Sequence, residues 1–254
     1  MTVAAIRESD WSFVPPLELP LALRLENGQF GAPRPRGPAL QIHEAVDLAA
    51  SAGDTVFAAY AGRIAEVETN PAATRGNVTI DHHPRGLGFV SKYLHITDIA
   101  VAPGDFVQKG APFARVSADP PEPHLHFELW LTIDPPTVPG PAWPNDNDLV
   151  PIDPTRALYA WEVRTQPDAE PASGPLTPQS IATLHLHGVP FFAATFPTDT
   201  PTVLHVPLYE PMTADEHLTV DLLRHAYAEN VAVTPRMRSS AFWGVDVVTG
   251  VRLS

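Results

Sequence analysis

The succession of short apolar runs between residues 42 and 127 constrains the fold of this chain more than any other feature. Runs of apolar and β-branched residues bounded by Gly, Pro or Asp predict β-strands, and such runs occupy residues 55–60, 62–68, 77–81, 88–95 and 124–131. The turn signals Pro103-Gly104-Asp105 and Lys109-Gly110 enclose a further short strand at 106–107. The 30 prolines, roughly twice the usual share, favour loops and strand edges over long helices. The sequence therefore predicts a mainly β fold in this half of the chain, without a convincing helix.

Proline-rich segments flank this β-rich part. Residues 1–40 contain Val14-Pro15-Pro16 and several further prolines, and they predict an extended, irregular segment with one short strand around 21–25. Residues 166–178 consist of Pro with small and polar residues, a composition typical of a linker. We therefore predict one domain over residues 1–165, a linker over 166–178 and a separate module over 179–254.

The C-terminal module has a mixed pattern. Strands are predicted at residues 181–187, 189–196, 202–209, 231–238 and 242–253. A helix is predicted at 214–230, with Leu218, Leu222 and Ala226 on an i, i+4, i+8 stripe. The module is thus a small α+β unit, and its pattern does not indicate a role beyond binding or assembly with another protein.

Composition excludes several classes of protein and of partner. With 44% hydrophobic and 18% charged residues over 254 positions, the chain is globular rather than disordered. The absence of cysteine rules out disulfides and thiolate metal sites. A net charge of −13 argues against nucleic acid and other anionic polymers as partners. No apolar run approaches the ~20 residues of a membrane span, and Arg7, Glu8 and Asp10 lie where a signal peptide would be apolar, so no export signal is expected in this chain.

Three fragments carry the histidines and carboxylates from which a metal site could be built. They are His43-Glu44-Ala45-Val46-Asp47, Tyr93-Leu94-His95 and His124-Leu125-His126-Phe127-Glu128. Catalytic zinc takes three N or O ligands and keeps one position for water or substrate. Since no cysteine is available, histidine and carboxylate must supply those ligands.

The spacing within two of these fragments has geometric consequences. On a strand, His124 and His126 share one face about 7 Å apart, while Leu125, Phe127 and Leu129 point to the core. His43 and Asp47 would lie about 13 Å apart on a straight strand, too far to share one ion whose bonds are about 2 Å long. The chain is therefore expected to bend between these two residues.

In this order and spacing the three fragments resemble the lysostaphin-type zinc endopeptidases, which cut peptide bridges in bacterial cell walls. The resemblance covers about residues 30 to 160. It implies a β-rich peptidase core, an antiparallel sheet forming a narrow groove with one zinc ion at its floor. It implies His43, Asp47 and His126 as zinc ligands, and His95 and His124 as the catalytic pair that moves protons and stabilises the oxyanion. The family has glycine in the middle of HxGxD where this chain has Ala45.

Other polar residues near the motifs have weaker claims. His82 and His83 follow a predicted strand, and a structural role is favoured over contact with substrate. Tyr93 would share the face of His95 on a regular strand and could line the groove. Glu128 could orient a metal ligand or be a solvated strand-end charge. Outside the resemblance, His185 with His187 and His217 with Asp221 repeat the spacings, but no third ligand can be argued for either pair.

The function implied is hydrolysis of a peptide bond in peptidoglycan, in a cross-bridge or a stem peptide, outside the cytoplasm. Without an export signal, the chain would reach the wall by another route or as part of a longer protein. One alternative is a non-catalytic regulator or scaffold built on the same domain. Another is a wall-cutting component of a phage tail or contractile injection device, which the unassigned C-terminal module would suit.

Overall fold

A computed structural model of the protein describes residues 14–18, 20–24, 28–36, 39–70, 74–82, 88–119, 122–132, 149–155, 157–159, 170–171, 174–186, 189–197, 202–208, 214–240, 242–243 and 245–253. The chain divides into two compact units, Met1–Val163 and Arg164–Ser254. No helix in these described stretches is long and apolar enough to cross a membrane.

The first unit is built mainly from strands. They are β1 (Pro33–Arg36), β2 (Ala39–Ile42), β3 (Val46–Ala49), β4 (Thr55–Phe57), β5 (Gly62–Asn70), β6 (Arg75–Asp81), β7 (Phe89–Thr97), β8 (Phe106–Val107), β9 (Pro112–Val116), β10 (His124–Thr132) and β11 (Leu149–Ile152). Strands β1 and β2 form a hairpin, and β3 to β11 form one nine-stranded sheet along the path β11-β10-β7-β6-β5-β8. Strand β3 pairs with β10, and β9 pairs with both β4 and β7. The pairings between these strands are antiparallel, which confirms the predicted mainly β fold with an antiparallel sheet.

The strand bounds follow the apolar runs closely, with two exceptions. Strand β4 ends at Phe57, three residues before the end of the predicted run. The strand predicted around 21–25 is reduced to an isolated bridge between Leu23 and Leu48, with backbone hydrogen bonds from Arg24 N–H to the Asp47 carbonyl and from Ala49 N–H to the Ala22 carbonyl. The N-terminal segment therefore lies along β3 without forming a full strand.

Alternation along β10 places its apolar side chains in the core, as predicted. Leu125 and Phe127 are fully buried and Leu129 is nearly so. The Phe127 ring lies 5.2 Å from that of Tyr93, which in turn meets Phe113 edge-on at 5.0 Å. Aromatic packing of this kind fixes the faces of β7 and β10, and hence the direction in which the histidines of β10 project.

The described residues of the second unit form one sheet and one helix. Its strands are β12 (Glu170–Pro171), β13 (Ser180–Leu186), β14 (Val189–Phe196), β15 (Thr202–Pro207), β16 (Val233–Ser240) and β17 (Val245–Leu253), and its helix is α1 (Ala214–Glu229). The sheet order is β12-β16-β17-β15-β14-β13. This is the small α+β module that the sequence predicts.

The helix is where predicted, but its buried stripe is different. The side chains that it buries are those of Thr219, Val220, Leu223 and Ala226, whereas Leu218 is 57% exposed. Steps of four residues advance about 40° beyond a full turn each time, so an i, i+4, i+8 stripe drifts around the helix. Mixed steps of three and four keep the true stripe facing the sheet, where Leu223 and Ala226 join Phe192 and Val206 in one core.

Of the predicted linker, 166–178, the structure describes only residues 170–171 and 174–178. The linker therefore stays a prediction. We expect mild proteolysis to cut within 166–178 and to release a core of roughly 160 residues that keeps its metal, because exposed Pro-rich linkers concentrate nicking. Mass spectrometry of the fragments locates the cut. Resistance to cleavage until the whole protein unfolds would show that the two units are not joined by an exposed linker.

Candidate metal centre

Strand register brings the predicted site residues together around β10. In the antiparallel pair of β3 and β10, His126 lies directly opposite Asp47. On the other side of β10, His126 lies opposite Leu94 of β7, the residue before His95. Directly opposed residues have Cβ atoms about 4.5–5.5 Å apart, so His126 sits between the carboxylate of one neighbouring strand and the histidine of the other.

The chain bends between His43 and Asp47, as their shared spacing requires. Strand β2 ends at Ile42 and β3 begins at Val46, with the bend at Ala45. Among the described non-glycine residues, those with positive φ are Thr74, His95, Asp98 and Asn230. Ala45 is not one of them, so it makes the bend without the strain that a left-handed conformation would impose on alanine.

His95 owes its direction to an irregularity in β7. Its φ is +63°, and the pairing of β6 with β7 shifts register at Gly76 and Asn77, opposite this point. On a regular strand, Tyr93 and His95 would share a face. Instead Tyr93 is completely buried in the core, and the interpretation of Tyr93 as a groove residue is wrong. The bulge turns His95 out of the core and toward His124, with ring centroids 4.8 Å apart.

Hydrogen bonds to their outer nitrogens set which atoms His43 and His126 present to each other. His43 Nδ1–H donates to the Gln29 carbonyl at 3.0 Å, and His126 Nε2–H donates to Glu128 Oε1 at 2.9 Å. The inner atoms then carry lone pairs: His43 Nε2, and His126 Nδ1 in the neutral tautomer that keeps its proton on Nε2. They lie 3.1 Å apart, and each faces Asp47 Oδ1, at 3.2 Å and 2.9 Å respectively.

This triangle of three lone-pair atoms fits a metal ion. Zinc with tetrahedral bonds of about 2.0–2.1 Å holds its ligand atoms about 3.3 Å apart, and the three separations here are 2.9, 3.1 and 3.2 Å. Within the described part of the chain, no second group of three such residues comes together. His43 and Asp47 are buried, so the convergence is enforced by packing.

The negative charge of Asp47 is stabilised by the two histidines and by Arg34. Burial alone would raise the pKa of this carboxyl, but its contacts with His126 and His43 outweigh burial and hold the pKa well below its usual range. Its second oxygen, Oδ2, accepts a hydrogen bond from Arg34 Nη2 at 3.0 Å. Arg34 thus leaves Oδ1 for the histidine side, and Asp47 is an anion throughout the physiological pH range.

Glu128 is a buried partner of His126 rather than a solvated charge. Its Oε2 accepts a hydrogen bond from Trp130 Nε1 at 2.5 Å, and the Lys92 ammonium lies 4.7 Å from the Trp130 ring centroid. Burial would raise the pKa of Glu128, but its contact with His126 lowers it overall. For His126 burial lowers the pKa, and the two carboxylates, Asp47 and Glu128, raise it by more. Carboxylates that bind the outer nitrogen of a histidine fix its tautomer and raise its basicity toward a metal.

His124 and His95 lie beside the triangle without entering it. His124 Nδ1–H donates to the Glu122 carbonyl at 2.8 Å, which leaves Nε2 as the basic atom, 3.7 Å from Asp47 Oδ1. Arg24 Nη1 is 3.2 Å from the same Nδ1; because that nitrogen carries the proton, the contact is electrostatic and not a second hydrogen bond. Burial, mainly, lowers the pKa of both rings, that of His95 to about 3, so both are neutral at pH 7 and able to accept a proton.

The remaining sequence candidates lie apart from this cluster. His82 is completely buried, and its Nδ1–H donates to the Ala61 carbonyl at 3.0 Å, so it is structural. His83 and His187 lie outside the described residues. His185 and His217 are exposed on the second unit, and Asp221 pairs with Arg224 at 3.7 Å.

The sequence interpretation missed the arginines of the site. A groove of about 420 Å³ contains the three candidate metal ligands in its wall. Its other lining residues are His95, His124, Glu128, Ile42, Glu44, Leu94, Arg24, Arg34 and Arg75. Arg24 lies in the N-terminal segment and Arg34 in the β1–β2 hairpin. In this part of the sequence the prolines, and neither of these arginines, were used for a prediction. No local spacing links these arginines to the histidines, because they meet only through the folded backbone.

A model of a known protein family matches the segment that contains this site. Residues 41–137, less than half of the chain, match the model of Peptidase family M23. The matched segment contains all five residues of the three motifs, and the match confirms the lysostaphin-type resemblance over this segment. A search of curated proteins gives no match.

Similar solved structures have low identity to this chain. A zinc-containing peptidase from Vibrio cholerae is 24% identical, with 46% of this chain and 36% of that one covered and a TM-score of 0.39. The catalytic domain of the antimicrobial peptidase lysostaphin from Staphylococcus simulans is 22% identical, with coverage of 52% and 89% and a TM-score of 0.37. The catalytic domain of a variant of the prophage-encoded M23 protein EnpA from Enterococcus faecalis is 23% identical, with coverage of 54% and 93% and a TM-score of 0.38. The chain thus spans about a third of the length of the Vibrio cholerae peptidase.

Proposed function

We propose that the M23-type peptidase domain over residues 41–137 is an active zinc endopeptidase that hydrolyses peptide bonds of bacterial peptidoglycan. The observation that carries this proposal is the triangle of His43 Nε2, Asp47 Oδ1 and His126 Nδ1, with sides of 2.9 to 3.2 Å, at the wall of an open groove. Three ligands leave the fourth position of a tetrahedral ion open, as catalytic zinc sites do.

His43, Asp47 and His126 would hold the ion. Bound zinc supplies a Lewis acid that polarises the scissile carbonyl and lowers the pKa of water. Asp47 contributes the one negative charge in the triangle, and Arg34 holds that carboxylate with a single oxygen directed to the histidines. Glu128 keeps the proton of His126 on Nε2, so that Nδ1 stays available.

The neutral histidines would perform the proton transfers. His124 presents an unprotonated Nε2 on the inner side, suited to accept a proton from the attacking water. The His95 ring lies 4.8 Å from that of His124 and 5.7 Å from that of His126, between centroids, and its buried Nδ1 has no hydrogen-bond partner among the described residues. His95 lines the groove, where its ring could stabilise the oxyanion or protonate the leaving amine of a bound peptide.

Digestion of purified wall material tests this proposal. We expect the protein to release soluble fragments whose masses correspond to hydrolysis of one class of peptide bond. A His126→Ala protein, matched in concentration, provides the control for contaminating activities. Fragments produced equally by both proteins, or no fragments from either when the wild type carries its metal, would reject the assignment.

The alternative of a non-catalytic scaffold receives no support from the site. Scaffolds of this kind are expected to have lost ligands, whereas His43, Asp47, His95, His124 and His126 all lie around one groove. The α+β unit would suit binding to a protein partner. A phage tail or contractile injection device would therefore be a setting in which the same enzyme acts, and would not require a different reaction.

A further inference from the structure

The groove beside the candidate metal centre is rich in arginine, although the chain as a whole is acidic. Arg24, Arg34 and Arg75 all line it, in a protein with a net charge of −13 and only 16 basic Lys and Arg residues. A guanidinium that already forms an ion pair or hydrogen bond within the protein is less available to a ligand. The contacts of the three arginines differ in this respect.

Two of the three arginines are engaged within the protein. Arg34 donates to Asp47 Oδ2 at 3.0 Å and so belongs to the metal centre. Arg24 forms an ion pair with Glu122 and lies against His124. Their charges are therefore balanced before any substrate arrives.

Arg75 is different. It is the first residue of β6, is half-buried, and stands close enough to His95 for its charge to disfavour protonation of that ring. Among the described residues it forms no side-chain hydrogen bond or ion pair with a carboxylate. It also lines a second recess, with Glu68, Thr69, Asn70, Gly76 and Asn77, that adjoins the groove through Arg75 itself. Glu68 Oε2 accepts a hydrogen bond from Asn77 Nδ2 at 2.9 Å.

The other charges of the groove do not compensate Arg75. Glu128 is satisfied by His126 and Trp130, and Asp47 by Arg34 and two histidines. Glu44 is exposed and forms no ion pair in the described structure. Among the described residues, the catalytic side of the groove, where His95 stands, therefore presents a guanidinium without an ion pair to a carboxylate.

We propose that Arg75 binds a carboxylate of the substrate, so that the enzyme prefers peptides with a free carboxyl group next to the cleaved bond over uncharged glycine bridges. The inference rests on the proposed peptidase function and specifies its substrate class. A guanidinium offers a planar pair of donors that matches a carboxylate, and a half-buried position strengthens the interaction relative to open solvent. A polyglycine bridge has no side-chain group to occupy this position.

Matched peptides test the proposal. The set consists of a cross-linked stem peptide with the carboxyl next to the cleaved bond free, the same peptide with that carboxyl amidated, the same peptide with only its terminal carboxyl amidated, and pentaglycine. We expect wild-type kcat/KM for the free acid to exceed that for the first amide by about 10- to 100-fold, the range of a charge-assisted hydrogen bond. Arg75→Gln should lose that factor on the free acid and change little on the first amide, with Arg75→Lys in between. A loss that follows the terminal amide instead would overturn the proposed preference for the carboxyl next to the cleaved bond.

Arg115 provides a control of the same residue type, since its Nη1 donates to the Gly53 carbonyl away from the groove. Arg115→Gln should keep the wild-type ratio between acid and amide. Zinc content and thermal unfolding are measured for each variant to reveal a merely structural effect. An equal loss on acid and amides, or no loss on either, overturns the role of Arg75 while the peptidase assignment stands. Failure of the zinc-loaded wild type to cleave all four peptides and purified wall material would instead reject the proposed function.

Discussion

Purified His126→Ala protein is expected to contain almost no zinc after dialysis, whereas the wild type should contain about one zinc ion per chain. His126 supplies the atom nearest to Asp47 Oδ1, at 2.9 Å, and lies 3.1 Å from His43 Nε2. Without it only two ligands are left, too few to hold the ion. Hydrolysis of wall peptides should disappear together with the metal, and elemental analysis measures the loss directly.

A graded series sharpens this expectation. Glu128→Gln keeps an acceptor for His126 Nε2–H but removes the negative charge, and should weaken zinc binding about 10- to 100-fold without abolishing it. His185→Ala, a change at an exposed histidine on the second unit, should leave the zinc content at its wild-type value. Zinc retained by His126→Ala at wild-type affinity would contradict the proposed ligand set.

His95→Ala and His124→Ala are expected to keep their zinc and lose hydrolysis by about 10²-fold or more, the typical effect of removing a proton-transfer or oxyanion-stabilising group. His124 Nε2 stands 3.7 Å from Asp47 Oδ1, outside the triangle of ligand atoms. The loss should appear mainly in kcat, because these contacts form in the transition state. Zinc content and steady-state kinetics on the same preparation separate the two effects.

His124 and His126 lie on the same face of β10, so the zinc content of their alanine variants distinguishes the metal ligand from the catalytic residue. If His124→Ala lost its metal and His126→Ala kept it, the proposed roles of the two residues would have to be exchanged. If both His95→Ala and His124→Ala kept full activity along with zinc, the catalytic assignment would fail. Circular dichroism of each variant excludes unfolding as the cause of a loss, which matters for His95 because its left-handed φ of +63° makes the local backbone sensitive to substitution.

Much of the fold follows from local pattern. The alternation of β10 correctly predicts that Leu125 and Phe127 are buried and that both histidines lie on the opposite face, since side-chain direction in a strand depends only on position along it. The bend between His43 and Asp47 is likewise predictable, because the length of a straight strand is incompatible with a shared ion. The buried stripe of α1 was not predicted correctly, since steps of four residues drift around the helix and miss Thr219, Val220 and Leu223, which the helix buries.

By itself, the sequence determined the mainly β core, since strand alternation is a local property, and its three short motifs nominated five residues for the site through their resemblance to a known family. Only the tertiary structure decided that Tyr93 belongs to the core while His95 faces the groove, because the bulge that separates them depends on pairing with β6. It also decided that Arg34 holds Asp47 and that Glu128 orients His126, and it brought Arg75 beside His95. These contacts join residues far apart in the chain through the register of antiparallel strands, and register is a property of the whole sheet rather than of any one segment.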